Sequence, residues 1–347
     1  MKDLYLQSGY LNIQSILRYG MPFNFIIGGR GTGKTYGVLE YCVLNHKKFI
    51  FMRRTKTAVE EAMVMNPMES VASDHNFLYR SHLLPGSKKI FGWYHAELDE
   101  KGELQDAGTD LFGIGGSLVT IGKTRGLDAS DVSVMIHDEF VKAPYEPKIK
   151  NEADAFFNAY ETVNRNRELK GKPPVTAFLL SNSDDMVNDY FIELRLVDRI
   201  DKMQQHNENF YIDRNRRLTV SILSDSPISK AKQEKTALYH LTQGTRFSKM
   251  AVENEFVNNA HRPTKSMNLS EFRAIVKIGE LVIYKHKSAE LYYACLHLSG
   301  TCKEYGTDDT DIHRFTMMYY NLWVAYMSDT IIFETYTAES LFNKFFS

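Results

Sequence analysis

The eight residues from Gly28 to Thr35, Gly-Gly-Arg-Gly-Thr-Gly-Lys-Thr, constrain this chain more tightly than any other stretch. They follow a short apolar run, Phe23-Asn24-Phe25-Ile26-Ile27, too brief for a helix, and precede Tyr36-Gly37-Val38-Leu39-Glu40-Tyr41, which reads as one. Strand, glycine turn and helix in that order satisfy G-x-x-x-x-G-K-[ST] at every fixed position, the Walker A loop. Gly28, Gly29, Gly31 and Gly33, with Arg30 and Thr32 between them, let successive N–H groups turn inward, and the helix adds the positive end of its dipole. Such a nest takes phosphate. Lys34 is then expected on the β- and γ-phosphates of ATP, and the Thr35 hydroxyl on Mg²⁺. Gly122-Lys123-Thr124 repeats only the end of the motif, because residue 117, where its first glycine would stand, is Ser.

A second run, Asp131-Val132-Ser133-Val134-Met135-Ile136-His137-Asp138-Glu139-Phe140, is a buried-type strand ending in two acids, the Walker B pattern. Asp138 is expected to hold the Mg²⁺ shell and Glu139 to polarise an attacking water. Alone the pattern is weak; paired with a complete Walker A it is strong. The stretch between the two, with a strand expected at 117–121, leaves room for a central strand between the Walker strands. The adjacent Glu marks the water-activating, additional-strand (ASCE) branch of P-loop enzymes. A small-molecule kinase, whose acceptor is not water, has no need of Glu139.

Around these landmarks the pattern is α/β. Residues 5–20 are amphipathic at helical spacing, and Gln14 either reads an adenine edge or lies on the surface. Lys48-Phe49-Ile50-Phe51-Met52 is a strand running into Arg53-Arg54-Thr55-Lys56. Ligands of open α/β sheets gather at the carboxyl ends of strands, so this cluster either meets phosphate or is simply solvated. Residues 79–119 read as short strands and turns. A helix at 151–170 ends in Arg165-Asn166-Arg167, where basic residues either suit the helix dipole or supply an arginine finger. The strand at 175–180 ends in Ser181-Asn182-Ser183, and Asn182 is placed to sense the γ-phosphate.

The first domain is thus expected over 1–224. A short helical linker, 225–263, carries two expected helices at 228–241 and 247–256, with charge too mixed to favour a DNA-reading helix-turn-helix. An α+β domain, 264–347, begins with strands Phe272–Ile278, Leu281–His286 and 291–298 as a meander, followed by a helix at 311–327, a strand Ile331–Phe333 and a helix at 338–346. That βββαβα order is ribonuclease H-like. Two-metal nucleases need carboxylates on the strands, and here the first strand offers Arg273 and Lys277 while Asp308, Asp309 and Asp311 precede a helix that they can cap.

Composition limits the partners. With 42 Lys and Arg against 43 Asp and Glu, a net charge of −1 argues against binding nucleic acid over the whole surface. Any DNA contact must come from a local basic strip, for which Arg54 and Lys56 are the candidates. Three widely spaced cysteines suggest neither disulfides nor a zinc site. No stretch approaches the ~18 apolar residues of a membrane span, and a cytosolic protein is expected.

An ASCE ATPase followed by a ribonuclease H-like domain resembles the motor subunits of viral terminases. Met52-Arg53-Arg54-Thr55-Lys56, His137-Asp138-Glu139-Phe140, Thr162-Val163-Asn164-Arg165-Asn166-Arg167-Glu168 and Leu180-Ser181-Asn182 sharpen the resemblance to the genome-packaging ATPases of φ29-like phages. The resemblance covers essentially the whole chain, specifically in the ATPase half and topologically in the tail. It implies a homo-oligomeric ring, pentameric in that family, that docks on the portal of an empty capsid in the host cytoplasm and pumps double-stranded DNA inward. It further implies that Arg165 acts on a neighbour's ATP, and that Lys123 and Arg125 face the next subunit. The tail departs from terminase nucleases in lacking their acidic cluster, which implies no cutting. That family also uses a packaging RNA. The alternative is a monomeric helicase-like, nucleic-acid-dependent ATPase, which would carry a second motor domain not visible after residue 200; a nonhydrolysing scaffold would not need Glu139.

Overall fold

The computed structural model describes residues 3–123, 129–143, 146–182, 187–224, 226–243, 245 and 264–346, so Arg125 and the helix expected at 247–256 lie outside the described residues. The chain forms two compact units, Met1–Asp185 with Met203–Val257, and Met186–Lys202 with Asn258–Ser347.

The first unit is built on strands β1 (Phe23–Ile27), β2 (Phe49–Arg53), β3 (Tyr79–Leu83), β4 (Phe91–Leu98), β5 (Leu104–Ser117), β6 (Val134–Asp138), β7 (Thr176–Ser181), β8 (Phe210–Asp213) and β9 (Leu218–Ile222). They make one sheet in the order β3-β4-β5-β2-β6-β7-β1-β9-β8. The central strands β5, β2, β6, β7, β1 and β9 run parallel. Every residue of β6 is buried, as are all but the first of β1 and β7. Burial on both faces is why these strands read as continuous apolar runs rather than alternating ones. Asn24, the polar exception in β1, spans both neighbours: its amide donates to the Ala177 carbonyl at 3.5 Å and accepts from the Thr219 hydroxyl at 2.8 Å.

The strand lying between β1 and β6 is β7, not the expected strand at 117–121. Residues 118–123 form a helix instead. The β-branched run there is overruled by Ser117, whose hydroxyl accepts from the Thr120 N–H at 3.3 Å and pairs with the Thr120 hydroxyl at 2.8 Å. A serine in that position caps a helix start, an effect typically worth about 1 kcal/mol. β5 itself closes against β2 because Gly113 has no side chain: a Cβ there would stand 2.5 Å from the Phe49 ring.

The second unit holds β10 (Phe272–Ile278), β11 (Leu281–His286), β12 (Tyr292–Cys295), β13 (Lys303–Tyr305) and β14 (Ile331–Phe333) in the order β13-β10-β11-β12-β14. The meander β10–β11–β12 is antiparallel, while β13 and β14 add in parallel at opposite edges. The helix expected at 311–327 is two helices, Asp309–Met318 and Tyr320–Met327, broken at Tyr319. Phe315 and Leu322 from these helices, with Phe342 and Phe345 from Tyr336–Phe346, pack on Val276, Ile278, Leu281 and Ile283 of the sheet. Residues 186–202 belong to this unit, where Asp198 accepts from the Tyr336 N–H at 2.8 Å and from the Thr337 hydroxyl. Among the described residues no helix is long and apolar enough to cross a membrane.

Candidate active site

The loop after β1 has the conformation its glycines permit. Gly31 and Gly33 sit at φ +69° and +86°, a left-handed region costly for residues with a Cβ. The helix Lys34–Leu44 that follows has no side-chain cap and no acid in its first turn. No capping side chain or first-turn acid therefore competes with an anion at this helix start. Lys34 is buried and folded over the loop, its ammonium donating to the carbonyls of Gly28 at 2.7 Å and Gly29 at 2.8 Å. Thr32 braces the turn by donating to Gly29 at 3.0 Å.

The carboxyl ends of β1, β2, β6 and β7 converge on this loop. Thr35 donates to Asp138 at 3.0 Å, so the two residues expected on Mg²⁺ meet across the width of β7. Arg53, the last residue of β2, stands between the acids: its guanidinium lies 2.8 Å from Asp138 and also pairs with Glu139. Glu139 adopts φ +56°, an unfavourable backbone for a residue with a Cβ that turns the chain sharply at the strand end. Burial pushes the Glu139 carboxyl above its ordinary value, Arg53 pulls it down, and Asp138 and Glu146 push it up. The net direction is upward, toward a better base. Asn182 lines the same cleft of about 540 Å³, together with Arg30, Thr32 and Glu139. A larger hollow of about 970 Å³, lined by Met63, Val64, Phe77 and Tyr79, lies away from this loop.

A nucleotide with Mg²⁺ fits these groups. The uncapped helix start and a buried ammonium resting on neutral carbonyls provide for an anion, and the Thr35–Asp138 pair is a hard oxygen set of the kind Mg²⁺ prefers.

Other expected residues are placed differently. Arg54 is 1% exposed, which overturns its assignment as a DNA contact. It donates to Glu152 at 2.6 and 2.7 Å, to Glu146 at 2.6 Å and to the Pro147 carbonyl at 3.3 Å. A guanidinium buried in this way, with four of its five N–H donors committed, is not offered to a phosphate at the surface. Lys56 begins the helix Lys56–Met65 and is half exposed, 3.1 Å from Glu60. A cation in the first helical turn opposes the dipole, and the i,i+4 pair with Glu60 offsets that only modestly.

Arg165 follows the helix Glu152–Asn164 at φ +47°, ψ −134°, with its Nε donating to the Thr162 carbonyl at 3.2 Å. Arg167 two residues on donates to Val132 at 2.5 Å and to Pro173 at 3.2 Å, in the segments that enter β6 and β7. Arg165 therefore stands at the amino edge of the sheet, about one strand length (roughly 15 Å) from its own phosphate loop. Lys123 is the last residue of the helix Leu118–Lys123.

The clamp of Arg53 on the Walker B acids was not assigned from sequence; its signal was the position of Arg53 at the carboxyl end of a core strand. His137 was also missed. It is fully buried, stacked on Phe156 at 5.6 Å between ring centres, and held neutral with its pKa lowered to about 3 by burial and then by Arg54 and Arg53.

Residues 5–293 match the family model described as podovirus DNA encapsidation protein (Gp16). The DNA packaging protein of Bacillus phage PZA is 28% identical over 263 residues, covering 74% of this chain and 68% of that protein. The corresponding protein of Bacillus phage phi29 is 28% identical over 262 residues, covering 73% and 68%. Two solved structures share the fold over nearly the full length. The Phi-28 gp11 DNA packaging motor superposes with a TM-score of 0.65 at 16% identity, covering 97% of this chain and 96% of that one. The bacteriophage Phi-29 viral genome packaging motor assembly does so with 0.61 at 22% identity, covering 97% and 99%.

Proposed function

The chain belongs to the podovirus DNA encapsidation protein (Gp16) family, and from that premise we propose that it is an ATP-driven translocase that packages double-stranded viral DNA into a preformed capsid. The observation that carries the ATPase reading is the meeting of Thr35 and Asp138 beside Glu139, with β7 between the two Walker strands. That strand order supports the ASCE class.

Bound ATP with Mg²⁺ would supply the phosphoryl group whose transfer to water releases the energy. Lys34, now on the Gly28 and Gly29 carbonyls, would hold phosphate oxygens, and Thr35 with Asp138 would hold the metal. Glu139 takes the proton of the attacking water once Arg53 has released it. Asn182, at the tip of β7, orients the water or the terminal phosphate. Arg165 stands at the far edge of its own sheet, so its use as a finger requires a neighbouring subunit, which supports a ring over a monomeric helicase. Five subunits, the capsid portal and a packaging RNA follow from the family resemblance, and no residue here is assigned to the RNA. Lys123 and Arg125 remain candidates for the subunit boundary, and Lys56 for DNA phosphate. The site of action is then the host cytoplasm, at the portal vertex.

We read 1–224 as the motor, apart from residues 186–202, which pack with the second unit, 225–263 as a linker and 264–347 as a ribonuclease H-like domain without nuclease chemistry. The meander, helices, β14 and final helix support that reading, with β13 as an additional strand between the meander and the helices, as does Asp308, which caps a helix by accepting from Thr310 and Asp311 at 3.0 and 3.1 Å. The whole proposal is tested by supplying the purified chain with procapsids, DNA and ATP and measuring DNA protected from nuclease. ATP-dependent protection is expected, and DNA binding with no protection in procapsids competent with a related motor would overturn it.

A further inference from the structure

In the second unit, one donor atom each from Cys295, His297 and Glu334 lie within 4.8 Å of one another. The topology brings them there. β14 runs parallel to β12 with Phe333 opposite Ala294, so the next pair outward is Glu334 and Cys295. The Glu334 N–H donates to the Ala294 carbonyl at 2.9 Å, extending the ladder by that one step.

His297 follows the end of β12, and its backbone is pinned. Its carbonyl accepts from the Cys295 thiol at 3.3 Å and from the Tyr284 hydroxyl at 3.0 Å, and the Tyr284 oxygen accepts from the Ser299 N–H at 2.8 Å. The His297 Nδ1 and a Glu334 oxygen stand 3.9 Å apart, too far for a hydrogen bond. Two such ligands on one tetrahedral zinc ion would be ~3.4 Å apart, given metal–ligand lengths near 2.0–2.1 Å. Cys295 is buried, Glu334 half-buried and His297 exposed, so the group opens from the sheet toward solvent.

We propose that Cys295, His297 and Glu334 bind a zinc-class transition-metal ion, with a fourth position open to water. A thiolate, an imidazole and a carboxylate together suit Zn²⁺ and not the hard ions Mg²⁺ and Ca²⁺. The ion would cross-link the end of β12 to the end of the three-residue edge strand β14, a contribution separate from the nucleotide cleft and from DNA packaging. The sequence conceals the set because its carboxylate comes from a different strand.

The test uses the full chain stripped with chelator, titrated with Zn²⁺ alone and with Co²⁺ as a spectroscopic probe. One Co²⁺ per chain should give a thiolate-to-cobalt absorption band, which the nucleotide cleft cannot supply because no cysteine lines it. The band should vanish in Cys295→Ser and persist in Cys302→Ser. His297→Ala and Glu334→Gln change residues that are not buried, so their fold is checked simply by circular dichroism, and each should weaken Zn²⁺ by ~10-fold or more. No band, a band surviving Cys295→Ser, or unchanged Zn²⁺ affinity in both folded His297 and Glu334 variants would overturn the proposal.

Discussion

Arg53 and Asp138 meet at 2.8 Å from neighbouring strands, and the same guanidinium also holds Glu139. The base of the proposed hydrolysis is therefore kept partly neutralised until Arg53 moves.

Glu139→Gln should bind ATP and lose turnover by ~10²-fold or more, the usual size of a general-base contribution. The base must be ionised, and its pKa is raised, so activity should fall, as pH drops, at a higher pH than for an ordinary Glu. Of the two cations that lower that pKa, Arg53 has the larger effect and Arg30 the smaller, so the acid limb of kcat/KM in Arg53→Met should shift to higher pH. A limb that stays in place would remove Arg53 from the control of Glu139.

Arg54 and Lys56 should separate cleanly. Arg54→Met leaves Glu152, 7% exposed, without its cation, and breaking a buried pair in this way costs about 3–5 kcal/mol. Urea unfolding should show that loss. Lys56→Ala should leave stability within ~0.5 kcal/mol, as surface changes usually do. It should instead lower the salt slope of double-stranded DNA binding by about one. Equal effects of the two substitutions on stability would contradict the placement.

His137 is held neutral down to about 3, against 6.5 for a free histidine. Between those values the unfolded chain binds a proton that the folded one does not, so stability falls as pH falls through the window. The slope approaches ~1.4 kcal/mol per pH unit. His137→Gln removes this term, and its unfolding free energy should fall less steeply with acid. Parallel curves for the two proteins would show that His137 does not titrate on unfolding.

Much of the geometry of the cleft at the Walker motifs was legible because its signals are local. Gly28 to Thr35 specify their own turn, and β6 announces itself as an apolar run ending in acids. The errors share a different cause. Arg54 looks solvated beside Arg53 and Lys56 because its partners, Glu146 and Glu152, lie far along the chain. Residues 118–121 favour a strand by composition, and a single hydroxyl, that of Ser117, reverses the outcome. β13 is three residues long and pairs with β10, too short for any periodicity to register.

Arg165→Ala should bind ATP and hydrolyse almost none, since a finger can be worth 10³–10⁵ in rate. Mixing it with Glu139→Gln subunits tests the geometry. In a mixed ring some interfaces pair an intact Glu139 with a neighbour's intact Arg165, so two inactive proteins should recover ATPase activity together. Verified hetero-oligomers with no recovery, together with an active Arg165→Ala protein, would exclude the finger in trans.

Because residues 186–202 belong to the second unit and 203–257 return to the first, the chain passes between units at 185/186, 202/203 and 257/258. The two units are thus joined by three backbone connections where a simple tandem arrangement would have one. Severing any single tether would leave the units joined, and neither could be released as one contiguous fragment.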